Sequence, residues 1–302
     1  MTFTEVIQHI FISPDEPRLR AGWRVAAQMG IMLALTVVFA CPLGVVIVAA
    51  PEWLNLALIL GTAFPVLISV PLARKFIDRR SIVSLGLQMS ARTFTDLLAG
   101  VGISLVQIGL IFGVELAFGW AQVEGFAWQA QSGLRVAGGL LLWLLLYMAV
   151  GFYEELLSRG YHLQNLEEGS NTFWAVLISS AIFGVGHLTN PNASWVSTLG
   201  IMAAGVFLAY GYLRTRRLWL PIGLHIGWNF FLGPVFGFPV SGLDAFHLIN
   251  LQVSGPELVT GGAFGPEAGL LALLAQILGA GLIWVYTRSP LPGEEKVIDG
   301  SE

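Results

Sequence analysis

Eight apolar runs, most of them as long as a membrane span, decide what this chain can become. They cover approximately 22–50, 53–73, 94–119, 134–153, 172–189, 195–213, 218–233 and 268–287. A helix crosses a bilayer with about 20 apolar residues. In lipid the backbone must satisfy its own polar groups, which leaves only helices and closed barrels. Unbroken runs of this length select helices. Only 11% of the residues are charged, against roughly 25% in a soluble domain, and the mean hydropathy is +0.74. The fold class is therefore all-α, a polytopic transmembrane helical bundle with about eight spans. Runs five and seven are short for spans, which calls for tilt, local thinning or helices that continue past the apolar stretch.

The chain divides into an N-terminal arm (1–21), one transmembrane domain (22–287) and a polar tail (288–302) read as disordered. The arm lacks the basic-then-apolar order of a cleaved signal peptide and reads as a short interfacial helix ending at Pro14. Cys41 is the single cysteine, so it forms no internal disulfide; its place in an apolar run reads as packing. A net charge of −4 and the lack of a basic stripe argue against nucleic acid as a partner.

Basic residues set an orientation. Arg18, Arg20 and Arg24 open the first run. Arg74, Lys75, Arg79, Arg80 and Arg92 lie between the second and third, Arg214, Arg216 and Arg217 between the sixth and seventh, and Arg288 and Lys296 after the eighth. With eight spans all of these fall on one side, and only Arg135 sits near the other. The positive-inside rule then predicts a multi-pass plasma-membrane protein with both termini cytoplasmic. Small residues along run six (Gly200, Ala203, Ala204, Gly205, Ala209, Gly211) point to a close helix contact.

Ionisable groups inside a bilayer are costly and tend to face a bundle interior or a water cavity. Three patterns stand out: Glu154, Glu155 and Arg159; Phe183 with His187; and His225 with Asn229. Glu155 and Arg159 are i,i+4 and can pair on one helix face, whereas Glu154 points about 100° away, on the face of Ser158. A buried carboxylate near a histidine can serve as a general base. Two histidines and a carboxylate could hold a divalent metal, or could activate water without one while His225 and Asn229 polarise a carbonyl oxygen. His162, a turn beyond Arg159, reads as a surface residue. No HExxH zinc motif and no GxSxG nucleophile elbow is present.

In this order, EExxxR (Glu154 to Arg159), FxxxH (Phe183 to His187) and HxxxN (His225 to Asn229) resemble the CPBP family of intramembrane proteases, which includes the CAAX prenyl endopeptidases and the bacteriocin-processing or immunity (Abi) proteins. The resemblance is strongest over a motif core at 151–231. It implies hydrolysis of a peptide bond in a membrane-associated protein or peptide. Glu154 and His187 would activate water, His225 and Asn229 would form the oxyanion site, and Glu155 and Arg159 would support them. The family is commonly classed as metalloprotease, which would place a metal such as zinc on His187, His225 and Glu154. For Glu154 and His187 to share a depth, the fourth helix must run through the motif to about Leu166, with the cavity opening to the cytoplasm. A proton-coupled transporter, or a non-catalytic immunity or scaffold protein, is the competing reading. Inverted repeats and discontinuous helices would favour the transporter.

Overall fold

The computed structural model describes residues 10–13, 16, 18–49 and 54–288, so most of the N-terminal arm and the polar tail lie outside the described residues. Helices occur where the apolar runs predict them. α1 (Ala21–Ala49), α2 (Leu54–Leu72, prolonged by the π-helical Ala73–Ile77) and α3 (Ala91–Ala117) come first. α4 (Gly133–Glu155) passes through a π-helical stretch, Leu156–His162, into α5 (Leu163–Gly169). Then follow α6 (Thr172–Gly186), α7 (Trp195–Thr215), α8 (Trp219–Phe230, prolonged by the π-helical Phe231–Val235) and α9 (Leu270–Thr287).

Among the described residues six helices are long and apolar enough to cross a membrane. The other two, α6 with 15 residues and α8 with 12, fall on the runs that are short in the sequence. α8 is buried continuously from Leu220 to Asn229. Its neighbours, rather than its own length, meet the lipid. The continuous helix from Gly133 to Gly169 runs through the first motif and past Leu166, as the depth argument requires.

The outer surface is apolar: Leu33, Val37, Leu98, Leu141 and Ile277 are all exposed, as side chains facing hydrocarbon should be. Cys41 is also exposed, on α1, and does not pack in the interior. The core is closed by Tyr161, Leu163, Leu218 and Leu232, none of which has exposed surface.

The most intimate helix pair is α3 with α8. A Cβ on Gly223 of α8 would lie 2.3 Å from the carbonyl oxygen of Leu97 on α3, so only glycine permits this approach. Two turns of α3 further on, the Ser104 hydroxyl donates to the Leu224 carbonyl at 2.7 Å. α8 is thus held to α3 from within the bundle. The small residues of α7 also pack: Gly205 lies against Ser180 of α6, and Gly211 against Leu224 of α8.

The two ends of the bundle differ. At one end Glu168 of α5 accepts from Arg18 at 3.0 Å, from Arg24 at 2.9 Å and from Arg80. Arg216 pairs with Glu167 at 2.7 Å, Arg217 donates to the Gln88 carbonyl at 2.7 Å, and Arg214 donates to the Thr287 hydroxyl at 2.9 Å. The basic connections therefore gather together. The connection after α3 and the one before α9 instead share a small antiparallel sheet, β1 (Ala121–Phe126) with β2 (Ile249–Val253). An all-helical reading does not include it. The strands are short, and their partners lie far apart in sequence.

Candidate functional site

The helix that carries Glu154 and Glu155 changes pitch directly after them. A π-helical turn is wider than an α-turn and is frequent at functional sites; here it begins at Leu156. α6 starts where the Asn171 side chain caps it, accepting from the Trp174 amide at 3.1 Å. It ends at Gly186, leaving His187 at its C-cap. α8 brings His225 and Asn229, both buried, on successive turns.

Glu155 is at the centre. Its Oε1 accepts from Arg159 at 2.8 Å and from Nδ1 of His225 at 2.8 Å. Arg159 is fully inside, 2% exposed. It also donates to the Gly205 carbonyl of α7 at 3.0 Å, and its guanidinium lies 4.4 Å from the centre of the Phe183 ring of α6. One ion pair therefore joins α4, α6, α7 and α8.

Glu154 is placed differently. Glu154, His187, His225 and Asn229 line one cavity of about 1100 Å³, whereas Glu155 and Arg159 do not. Glu154 Oε2 has no hydrogen-bond partner among the described residues. It lies 3.7 Å from Nε2 of His225. The preceding residue, Tyr153, is tied to α2 by a 2.9 Å contact between its hydroxyl and that of Thr62.

The histidine tautomers follow from their partners. A carbonyl can only accept, so Nδ1 of His187, 2.8 Å from the Phe183 carbonyl, carries a proton and donates. In the neutral ring this leaves Nε2 with its lone pair. His225 sits between two carboxylates, and a ring protonated at both nitrogens has a donor for each.

Among the described residues, no three His, Cys, Asp or Glu side chains are grouped so that they could hold a metal ion. His187, His225 and Glu154 share the cavity without forming such a cage. His162 is not at the surface: it is 1% exposed and donates from Nε2 to Gln28 Oε1 at 3.0 Å. The cavity lining also includes the apolar side chains Met29, Leu58, Ile178 and Val185, from α1, α2 and α6.

One cavity residue has no counterpart in the motifs. Glu267, just before α9, is 5% exposed. Burial pushes its carboxyl above the usual range, opposed by hydrogen bonds from Ser241 and the Trp228 indole. The only sequence signal is an acidic residue between Pro266 and Ala268 at the mouth of an apolar run.

With this geometry in place, comparison with known proteins identifies the core. Residues 136–231 match the profile of the family described as type II CAAX prenyl endopeptidase Rce1-like. This segment contains all seven motif residues. The core, residues 136–231, is similar to that family. A curated protein of Bacillus subtilis (strain 168), named "Putative membrane peptidase YdiL", is 31% identical over 169 residues, which are 55% of this chain. The chain spans 64% of the length of that relative. No solved structure matches the chain significantly. The Rce1-like core and its neighbouring apolar helices form a multi-pass membrane protein.

Because Arg159 is buried and shared among four helices, Arg159→Ala should destabilise the fold by about 3–5 kcal/mol, the cost of leaving a buried charge unpaired. Chemical unfolding in detergent reads this directly. Unchanged stability would remove Arg159 from the structural frame and leave it a role toward substrate.

Proposed function

We propose that the chain is a membrane-embedded endopeptidase that hydrolyses a peptide bond of a membrane-associated protein or peptide. One observation carries this reading: of two adjacent carboxylates, Glu155 is buried away from the cavity and committed to Arg159 and His225, while Glu154 lines the cavity with its Oε2 free of hydrogen bonds among the described residues. The Rce1-like match of residues 136–231 and the peptidase name of the B. subtilis relative support it.

Glu154 takes a proton from water, and the water oxygen attacks the carbonyl carbon of the substrate. His187, with Nε2 free, orients that water. The carbonyl oxygen becomes an oxyanion and accepts hydrogen bonds from His225 and Asn229. On collapse the C–N bond breaks, and the proton held by Glu154 passes to the departing amine. The products are a carboxylate and an amine. The apolar lining of the cavity suits an apolar, membrane-associated substrate.

Metal assistance by zinc on His187, His225 and Glu154 is the less supported version of this reading. Nδ1 of His225 is already given to Glu155, and no three-ligand grouping is present among the described residues. Full turnover after chelation, with metal absent by elemental analysis, supports the metal-free route. A loss restored by zinc supports the other.

In purified protein incubated with candidate membrane peptides, Glu154→Gln should fold and cleave almost nothing, as read by product mass. Asn229→Ala should retain weak cleavage, with a barrier raised by about 2.7–4 kcal/mol, the typical cost of a lost oxyanion donor. Cleavage by Glu154→Gln at the wild-type rate would refute the mechanism.

We also infer a plasma-membrane location with both termini cytoplasmic. The shared basic end of the bundle supports this under the positive-inside rule. Cysteines introduced in 74–93 should be protected from an impermeant reagent in intact cells, and cysteines in 234–267 should react. The reverse pattern would invert the topology.

A further inference from the structure

Glu267 is a second carboxylate at the cavity, beside Glu154, and it lies outside the segment matched to the Rce1-like family. Three donors converge on it. The Trp228 indole N–H reaches Oε1 at 3.1 Å, while the Ser241 hydroxyl reaches Oε2 at 2.8 Å and the Ser241 amide donates to the same oxygen. Trp228 immediately precedes Asn229 on α8. Ser241 belongs to the tight turn Val240–Leu243, whose end residues exchange two backbone hydrogen bonds of 2.9 Å. Glu267 therefore fastens this turn to the helix that carries His225 and Asn229.

The turn needs such a fastening. Ser241 has a φ of 49°, a left-handed conformation that is costly for a residue with a Cβ and persists only where surrounding contacts impose it. A second tie comes from the loop after His187: the Asn190 side-chain amide donates to the Ser241 carbonyl at 2.9 Å. The backbone of Glu267 is seated as firmly as its side chain. A Cβ on Gly200 of α7 would lie 2.0 Å from the Glu267 carbonyl oxygen, so glycine opens a notch for it. Val240, Ser241 and Leu243 line the same cavity as Glu154, His187 and Asn229.

We infer that Glu267 is a positioning residue for the proposed hydrolysis, locking the turn 240–243 against Trp228 and so setting where the substrate backbone meets Asn229 and His187. This rests on the peptidase reading. An ordinary structural anchor would show in stability alone. A positioning residue also shows in kcat, because small misplacements at a reacting centre slow turnover.

The test uses the full chain in lipid vesicles with a verified peptide substrate, and compares wild type with Glu267→Gln, Trp228→Phe and Ser241→Ala. Glu154→Gln is the control. The amide of Glu267→Gln cannot accept from Trp228 and Ser241 together. Its kcat per folded molecule should fall about 10- to 100-fold, with KM little changed. Trp228→Phe and Ser241→Ala each remove one hydrogen bond and should give smaller losses of the same kind. If Glu267→Gln does not fold, those two variants carry the test. A wild-type kcat per folded molecule in the variants, even with a lower melting temperature, overturns the inference. A wild type that cleaves nothing, or a control that still cleaves, overturns the peptidase reading and this inference with it.

Discussion

One carboxylate oxygen, Oε1 of Glu155, accepts from both Arg159 and His225 at 2.8 Å, and the rest of the site depends on that sharing. In a membrane interior an unpaired charge is expensive, so the pair holds α4 and α8 in one register, while the second arm of Arg159 holds α7. It also assigns the nitrogens of His225, turning Nε2 toward Glu154. The consequence is a division of labour between adjacent residues. Glu155 is 0% exposed and committed to the frame. Glu154, a residue earlier, is released to the cavity.

The helix packing serves this arrangement. α8 carries both His225 and Asn229 and is too short to cross a membrane by itself. It is surrounded instead, pressed to α3 where Gly223 meets Leu97. A buried helix loses little mobility when substrate enters, which suits oxyanion donors that must already be in place. α1, α2 and α6 give the cavity apolar walls, while Glu154, His187, His225 and Asn229 supply its polar groups.

Much of this was legible because the bilayer writes a strong pattern. The positions of all eight helical stretches follow from apolar runs, and the continuation of α4 through the motif follows from requiring Glu154 and His187 at one depth. The i,i+4 spacing of Glu155 and Arg159 indicated their contact. Other features carry no local signal. The π-helical turn at Leu156–His162 depends on tertiary packing and not on a proline or glycine pattern alone. The burial of His162 depends on Gln28, which is 134 residues away. β1 and β2 are short segments in connections, visible only once paired. Glu267 has no local signal in its Gly- and Pro-rich connection, because its partners Trp228 and Ser241 become neighbours only when that connection folds back over α8.

The claim that one glutamate builds and its neighbour reacts is tested most directly by comparing Glu154→Gln with Glu155→Gln, measuring thermal unfolding and single-turnover cleavage on the same preparations. The account predicts that Glu154→Gln unfolds at the wild-type temperature and does not cleave. It predicts that Glu155→Gln unfolds at a lower temperature, because Arg159 loses its charge partner, while whatever remains folded still cleaves slowly. A stable, inactive Glu155→Gln beside a destabilised Glu154→Gln that cleaves when folded would contradict it.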